Sequence, residues 1–160
     1  MQQDFLVEMG YPGLTARLKR LNDVFVYQTK EFYKEKNLVI EPNWHSVFLL
    51  LEKHEQLTVT EIAEALGLSH PAIVKLMTKM KNKGYVASVK DKKDKRKSQL
   101  QLSEKAKEEL PELHKYWDAG IAALKEMMNN NQELLKQLQI VEDNMDELDY
   151  KSRILNKLDA

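Results

Sequence analysis

Apolar residues recur every three or four positions through most of the chain, a period typical of amphipathic helices. The first stripe follows Pro12 and Gly13 and fades near Asn37; its members are Leu14, Leu18, Leu21, Phe25 and Phe32. Pro42 suits the first turn of a second helix. Only five glycines and four prolines interrupt the 160 residues, so we expect long helices.

A short helix, a turn and a second helix are predicted next. Thr58 and Glu61 have the spacing of a capping box. Gly67 is placed to end the first helix in a left-handed conformation. Ser69 then caps a second helix, predicted from His70 to about residue 83. This order of elements is a helix-turn-helix.

Two strand patterns and two further helices complete the prediction. Residues 85–90 and 98–102 read as paired strands, and the charged residues 91–97 suit the tip of their hairpin, a wing. Ser103 caps a long fifth helix. After an interruption at residues 129–131, one last helix repeats apolar residues at heptad spacing from Leu134 to Leu155, broken by Ser152.

The predicted fold is therefore mainly α: a winged helix-turn-helix with long N- and C-terminal dimerisation helices and a two-stranded β wing. We expect a single domain over residues 1–160. Residues 42–102 would form the DNA-binding portion, and residues 1–41 and 103–160 the helical dimerisation portion. A lone chain would expose both apolar stripes, and large exposed apolar patches mark interfaces.

Charge is distributed unevenly, although the formal net charge is zero. Residues 70–102 carry ten basic and two acidic side chains, whereas the residues before and after them are net acidic. A basic patch on one element is typical of phosphate binding. The alternative is a solvated lysine-rich surface.

The second helix of the helix-turn-helix has one apolar face that must pack inward. The candidate DNA contacts lie on its other face and at its start: Ser69, His70, Pro71, Ala72, Lys75 and Lys79. The wing would bring a second group to the DNA, with Lys92, Lys93, Lys95, Arg96 and Lys97. An α-helix fits the major groove, and a wing can reach the minor groove.

The stretch from Pro42 to Ser103 resembles the MarR family of bacterial regulators. The residues that carry the resemblance are Trp44, Val47, Leu57, Thr58, Glu61, Ile62, Ala63, Leu66, Gly67, Leu68, Ser69, His70, Pro71, Ala72, Lys83, Gly84, Tyr85, Val86, Asp94, Arg96, Leu100, Leu102 and Ser103. The flanking long helices are also similar to that family.

This resemblance implies a homodimer built from the terminal helices, with double-stranded DNA carrying an inverted repeat as its partner. It implies that His70, Pro71, Ala72 and Lys75 face the major groove. It also implies that Arg96 enters the minor groove and that Asp94 holds its guanidinium. The chain departs from the family pattern at Lys93, where arginine is usual, and at Val74, where a hydroxyl residue is frequent.

Family members often bind a small aromatic or anionic effector among their helices. The candidate effector residues here are Tyr27, Trp44, His45, His114 and Trp117. Plain core packing of each residue is the alternative. The four histidines are far apart in sequence, and no pair has the spacing of a helical metal site, so we expect neither a metal nor a cofactor.

Several function classes find no support in the sequence. The chain has no cysteine, which excludes thiol chemistry, and no glycine-rich phosphate loop or nucleophile elbow, so we do not expect an enzyme. No apolar run is long enough to cross a membrane and no signal pattern opens the chain, so we expect a cytoplasmic location.

The sequence thus predicts a dimeric, sequence-specific DNA-binding transcriptional regulator, a repressor relieved by a small-molecule effector. The alternative is a winged-helix module that binds protein without specific DNA binding. Such modules usually lose the basic face of the second helix, and this chain keeps it.

Overall fold

Eight α-helices and one antiparallel hairpin make up the part of the chain that the computed structural model describes, residues 4–90 and 98–159. The helices are α1 (Phe5–Glu8), α2 (Leu14–Glu35), α3 (His45–His54), α4 (Val59–Leu66), α5 (His70–Asn82), α6 (Glu104–Met127), α7 (Glu133–Glu147) and α8 (Tyr150–Leu158). The strands are β1 (Val86–Lys90) and β2 (Ser98–Leu102), and short 3-10 turns at Tyr11–Gly13 and Pro42–Trp44 lead into α2 and α3. The prediction of a mainly α winged helix-turn-helix fold is confirmed.

Backbone contacts divide the chain into two compact units, Met1–Glu109 and Leu110–Ala160. The boundary lies inside α6, beyond all elements of the helix-turn-helix and the hairpin. The predicted single domain, with its portions 1–41, 42–102 and 103–160, stays a prediction. Within residues 4–90 and 98–159, no helix combines the length and the apolarity needed to span a bilayer.

The helix-turn-helix forms from local signals that the sequence displays. The Thr58 hydroxyl accepts from the Glu61 N–H at 3.2 Å, and the Glu61 carboxylate accepts from the Thr58 N–H at 2.7 Å. Gly67 takes a left-handed conformation with φ of 61°, which a residue without a Cβ adopts at little cost. The Ser69 hydroxyl accepts from the Ala72 N–H at 3.4 Å and so begins α5. Both caps and the turn are as predicted.

The core of the first unit lies between α5 and the elements around it. From α5, four apolar side chains are buried: Ile73, Leu76, Met77 and Met80. An aromatic cluster continues this core, in which Tyr85 meets Trp44 and Phe48 edge-on at ring-centroid distances of 5.7 and 5.5 Å. Edge-to-face pairs add to the stabilisation that burial provides.

The hairpin runs in register from Val86 opposite Leu102 to Lys90 opposite Ser98. It begins one residue later than predicted, because the Tyr85 N–H still closes the end of α5 by donating to the Met80 carbonyl at 2.9 Å. Leu57 adds a bridge that the sequence did not indicate: it exchanges two backbone hydrogen bonds with Leu100, at 3.0 and 2.7 Å. The chain just before α4 is thereby joined to β2. The predicted hairpin tip, residues 91–97, lies outside the described residues.

The prediction of one continuous last helix is wrong. Helix α7 ends at Glu147, and Leu148 is extended, with φ of −153° and ψ of 120°. The Asp149 carboxylate then accepts from the Ser152 N–H at 3.0 Å and begins α8. Ser152 therefore lies inside a helix, and the break lies just before Asp149, because an aspartate that caps a new helix competes with continuation of the old one.

Candidate nucleic-acid interface

Helix α5 presents one continuous exposed face. The buried residues of α5 define the side of the helix that faces the core. Because successive residues are rotated by about 100° around the helix axis, the residues on the opposite side can be identified. The residues that lie there are all exposed, namely Pro71, Lys75, Thr78 and Asn82. Val74 and Lys79 flank this set on opposite sides, and both are exposed. These six side chains form the outward face of α5.

The residues predicted at the start and along the surface of this helix are accessible. Ser69, His70, Pro71, Ala72, Lys75 and Lys79 are all exposed. Lys93, Asp94, Lys95, Arg96 and Lys97 lie outside the described residues. Thr78 and Asn82 were not predicted, because neither side chain is basic or small. Both residues lie on the side of the helix opposite to the buried Met77 and Met80, and this position around the helix axis identifies them as candidates.

The charged residues of the segment that carries this face are all basic. From residue 65 to residue 90, every charged side chain is a lysine. Lys75 forms no ion pair with any residue that the structure describes. The Lys79 Nζ, in contrast, lies 3.0 and 3.2 Å from the two carboxylate oxygens of Glu41. Lys79 is therefore paired with a neighbouring carboxylate, whereas Lys75 is exposed and has no such partner among the described residues.

The C-terminal end of α5 is attached to the start of α6. The Ser103 hydroxyl donates to the Gly84 carbonyl at 2.5 Å, and the Lys105 Nζ donates to the Lys83 carbonyl at 3.0 Å. The same ammonium lies 4.2 Å from the centroid of the Tyr85 ring, within the range of a cation–π interaction. These contacts satisfy carbonyls that the end of a helix leaves open. They also connect the C-terminal end of α5 to the N-terminal end of α6.

Tyr85 combines a buried ring with a charged hydrogen-bond partner. The side chain is 1% exposed, and its hydroxyl donates to the Glu109 carboxylate at 2.8 Å. Burial raises the pKa of the Tyr85 hydroxyl well above its ordinary range, and the hydrogen bond to Glu109 and the negative charge of Glu109 raise it further. The folded protein therefore holds this proton more tightly than the unfolded chain does.

We expect this difference to appear as a loss of stability at alkaline pH. Above about pH 10 the unfolded chain loses the Tyr85 proton while the folded protein keeps it, so the free energy of unfolding falls as the pH rises further. Tyr85→Phe should lower stability near neutral pH by about 1–2 kcal/mol, because the hydrogen bond is lost. It should also flatten the alkaline decline. Urea unfolding between pH 8 and pH 11 measures both effects.

Tyr116 provides the matched control for this prediction. Its hydroxyl also donates to a glutamate, Glu112, at 2.6 Å, but the side chain is less buried. Tyr116→Phe should change the stability at neutral pH and the alkaline decline less than Tyr85→Phe does. Equal alkaline slopes for the wild type and Tyr85→Phe would contradict the prediction.

The candidate effector residues occupy different environments. In the first unit, Tyr27 is exposed, His45 is half-buried and Trp44 is 1% exposed. Among the described residues, no acceptor lies within hydrogen-bond distance of the Trp44 indole nitrogen. In the second unit, His114 meets Trp117 edge-on, with ring centroids 5.3 Å apart. The assignment of these five residues to an effector site stays a prediction.

In the described part of the chain, no three His, Asp or Glu side chains come together in an arrangement able to bind a metal.

Residues 40–97 match the sequence model of the MarR family. A comparison with curated protein sequences finds no significant match.

Many solved structures share the fold. The transcriptional repressor CouR, bound to a 23-mer DNA duplex, is 24% identical, with a TM-score of 0.69 over 81% of this chain and 92% of its own. A mutant of MarR from E. coli, complexed with operator DNA, is 17% identical, with a TM-score of 0.67 over 89% of this chain and 99% of its own. A MarR protein from Peptoclostridium difficile is 18% identical, with a TM-score of 0.70 over 86% of this chain and 90% of its own.

At these identities, the likeness to solved structures establishes the fold. The family match covers α3, α4, α5 and β1, and so includes the helix that carries the outward face. Residues 40–97 are therefore similar to the MarR family, and the chain shares the fold of solved MarR structures.

Proposed function

We propose that the protein is a dimeric, sequence-specific DNA-binding transcriptional regulator, a repressor relieved by a small-molecule effector. The observation that carries the proposal is the outward face of α5. It is accessible along the whole helix, and its only charges are those of lysines. A helix of this kind fits the major groove and attracts phosphate. The DNA-bound structures of CouR and MarR support the same use of the fold.

The proposed dimer rests on apolar side chains that the single chain leaves in solvent. On α2, Leu14, Leu18, Leu21 and Phe25 lie on one stripe and are 39–49% exposed. A second exposed set lies on α7, on α8 and at the break between them, and comprises Leu134, Val141, Met145, Leu148 and Leu155. A second copy of the chain would cover such surfaces. Two-fold symmetry then favours an inverted-repeat site with half-site centres about 10 base pairs apart.

Different side chains would make different contacts with the DNA. Lys75, unpaired among the described residues and central on the outward face, suits a base edge or a phosphate. Lys79 should contribute less, because Glu41 already pairs with it. Ser69, His70, Pro71 and Ala72 lie at the start of α5, where free backbone N–H groups favour an anion.

The wing assignments rest on the family resemblance. Arg96 would enter the minor groove with Asp94 beside it, and Lys93, Lys95 and Lys97 would contact phosphates. A minor-groove arginine reads groove width and negative potential, so it adds affinity with little discrimination between bases.

The decisive experiment begins with selection of bound duplexes from a random DNA pool. The affinity for a selected duplex and for a random duplex is then measured across a salt series. We expect an inverted repeat, tighter binding of the selected duplex, and affinities that fall as salt rises. Saturable binding of neither duplex would overturn the proposal and favour the protein-binding alternative.

Substitutions in the same assay separate the two contact regions. Lys75→Ala should cost about 1–3 kcal/mol on the selected duplex and less on random DNA. Arg96→Ala should weaken both by similar factors and reduce the salt slope by about one unit. Asp94→Ala should resemble a milder Arg96→Ala. Lys30→Ala, which removes an exposed lysine of α2, is the charge-matched control and should change neither affinity. Unchanged affinities and salt slope for Arg96→Ala would remove the wing from the interface.

The effector part of the proposal is supported by Trp44. A buried indole N–H without an acceptor costs about 1–3 kcal/mol, so a ligand oxygen placed there would gain much of that energy. Anionic or phenolic ligands suit this donor. Trp44→Phe keeps the aromatic packing and removes the donor. It should weaken the release of DNA by such a ligand while leaving DNA affinity without ligand unchanged.

A further inference from the structure

One side of the outward face of α5 is apolar. Val74 is 43% exposed, although the residue before it, Ile73, is completely buried. Packing therefore does not explain a valine at this position, because the inward face of the helix is already filled by its neighbours. Thr78 lies one turn further on, and residues four apart are neighbours on a helix surface.

The Thr78 side chain is turned toward its own helix. Its hydroxyl donates to the Val74 carbonyl at 2.8 Å. The single hydroxyl proton is thereby used, so Thr78 has no donor left for a phosphate oxygen. What it retains at the surface is a methyl group and an acceptor oxygen. Val74 and Thr78 together form a small apolar strip beside the charged Lys75.

Such a strip cannot bind the DNA backbone, which requires donors. Among the four base pairs, the 5-methyl group of thymine is the apolar feature that the major groove presents. Every charged side chain of residues 65–90 is a lysine, which favours nucleic acid over an apolar peptide as the occupant. On the basis of the DNA-binding function proposed above, we infer that Val74, with the Thr78 methyl, reads the 5-methyl group of a thymine in each half-site.

The test uses the duplex selected from the random pool. Each thymine is replaced in turn by deoxyuridine, which removes the 5-methyl group and keeps base pairing. At one position per half-site, the wild type should lose affinity about fourfold, the effect of withdrawing one methyl-sized apolar contact worth about 0.8 kcal/mol. Replacement in both half-sites should cost about fifteenfold.

Variants of the protein assign the effect to the strip. Val74→Ala should bind the thymine and deoxyuridine duplexes with nearly equal affinity, and Val74→Ile should keep the preference. Thr78→Ser, which keeps the hydroxyl and removes the methyl, should reduce the preference in part. Val39→Ala truncates another exposed valine, outside α5, and should leave the preference unchanged.

The outcomes distinguish this inference from the function on which it depends. Failure of the wild type to bind any duplex would overturn both. Tight binding of the selected duplex with no preference for thymine over deoxyuridine at any position would overturn the inference alone. A preference that Val74→Ala retains in full would assign the reading of the methyl group to another side chain and would also overturn it.

Discussion

Leu21→Glu is expected to convert the proposed dimer into a monomer and to lower affinity for an inverted-repeat duplex by more than about a hundredfold. Leu21 is 49% exposed in the single chain and lies on the apolar stripe of α2. A carboxylate buried there against a second copy would have no partner, which is costly. Each half-site would then be bound separately, without the gain from two linked contacts. Light scattering at micromolar concentration measures the mass.

Ala16→Glu is the matched control for this substitution. Ala16 is exposed on the same helix but lies away from the apolar stripe. The added charge and the helix propensity of the new side chain are the same, so mass and affinity should stay as in the wild type. A wild type with the mass of one chain, or a Leu21→Glu variant that remains dimeric, would refute the proposed interface.

Ile73→Ala is expected to lower the free energy of unfolding by about 2–5 kcal/mol. Ile73 is completely buried on the inward face of α5, so the substitution leaves a cavity between this helix and the core. In a chain of this length, each kcal/mol lowers Tm by about 2–4 °C. Urea unfolding and thermal unfolding at one fixed protein concentration measure the loss.

Val74→Ala, at the next residue, is its control. The valine is half exposed, so its truncation should change stability by less than about 0.5 kcal/mol. The two neighbours therefore separate the two faces of α5: one determines stability and the other is available for DNA. Similar losses for both variants would mean that the orientation of α5 is not as described.

The helix-turn-helix could be predicted from the sequence because its signals are local. Thr58 with Glu61, the left-handed Gly67 and the cap at Ser69 each act within three or four residues, so their effect does not depend on distant parts of the chain. The alternation in residues 98–102 likewise predicted β2 to the residue. The resemblance to the MarR family over the same segment agrees with the family match to residues 40–97.

The last helix shows where periodic patterns mislead. Apolar spacing from Leu134 to Leu155 continues across the break at Leu148, so periodicity alone predicted one helix. The helix is interrupted because the Asp149 carboxylate accepts from the Ser152 N–H and so caps the start of α8. A capping residue such as Asp149 can be recognised in the sequence. Whether it starts a new helix or lies within a continuous one depends on which of the two folded conformations has the lower free energy.

The sequence by itself determined the order of the elements from α2 to α6, the limits of the helix-turn-helix and the concentration of lysine around α5, all of which depend on neighbouring residues. Only the tertiary structure decided which of those side chains are free. It pairs Lys79 with Glu41, 38 positions earlier, and joins Leu57 to Leu100. It also binds Lys105 to the end of α5 and leaves Val74 in solvent. Contacts between distant residues depend on how the elements pack, and the spacing of residues along a chain does not encode that.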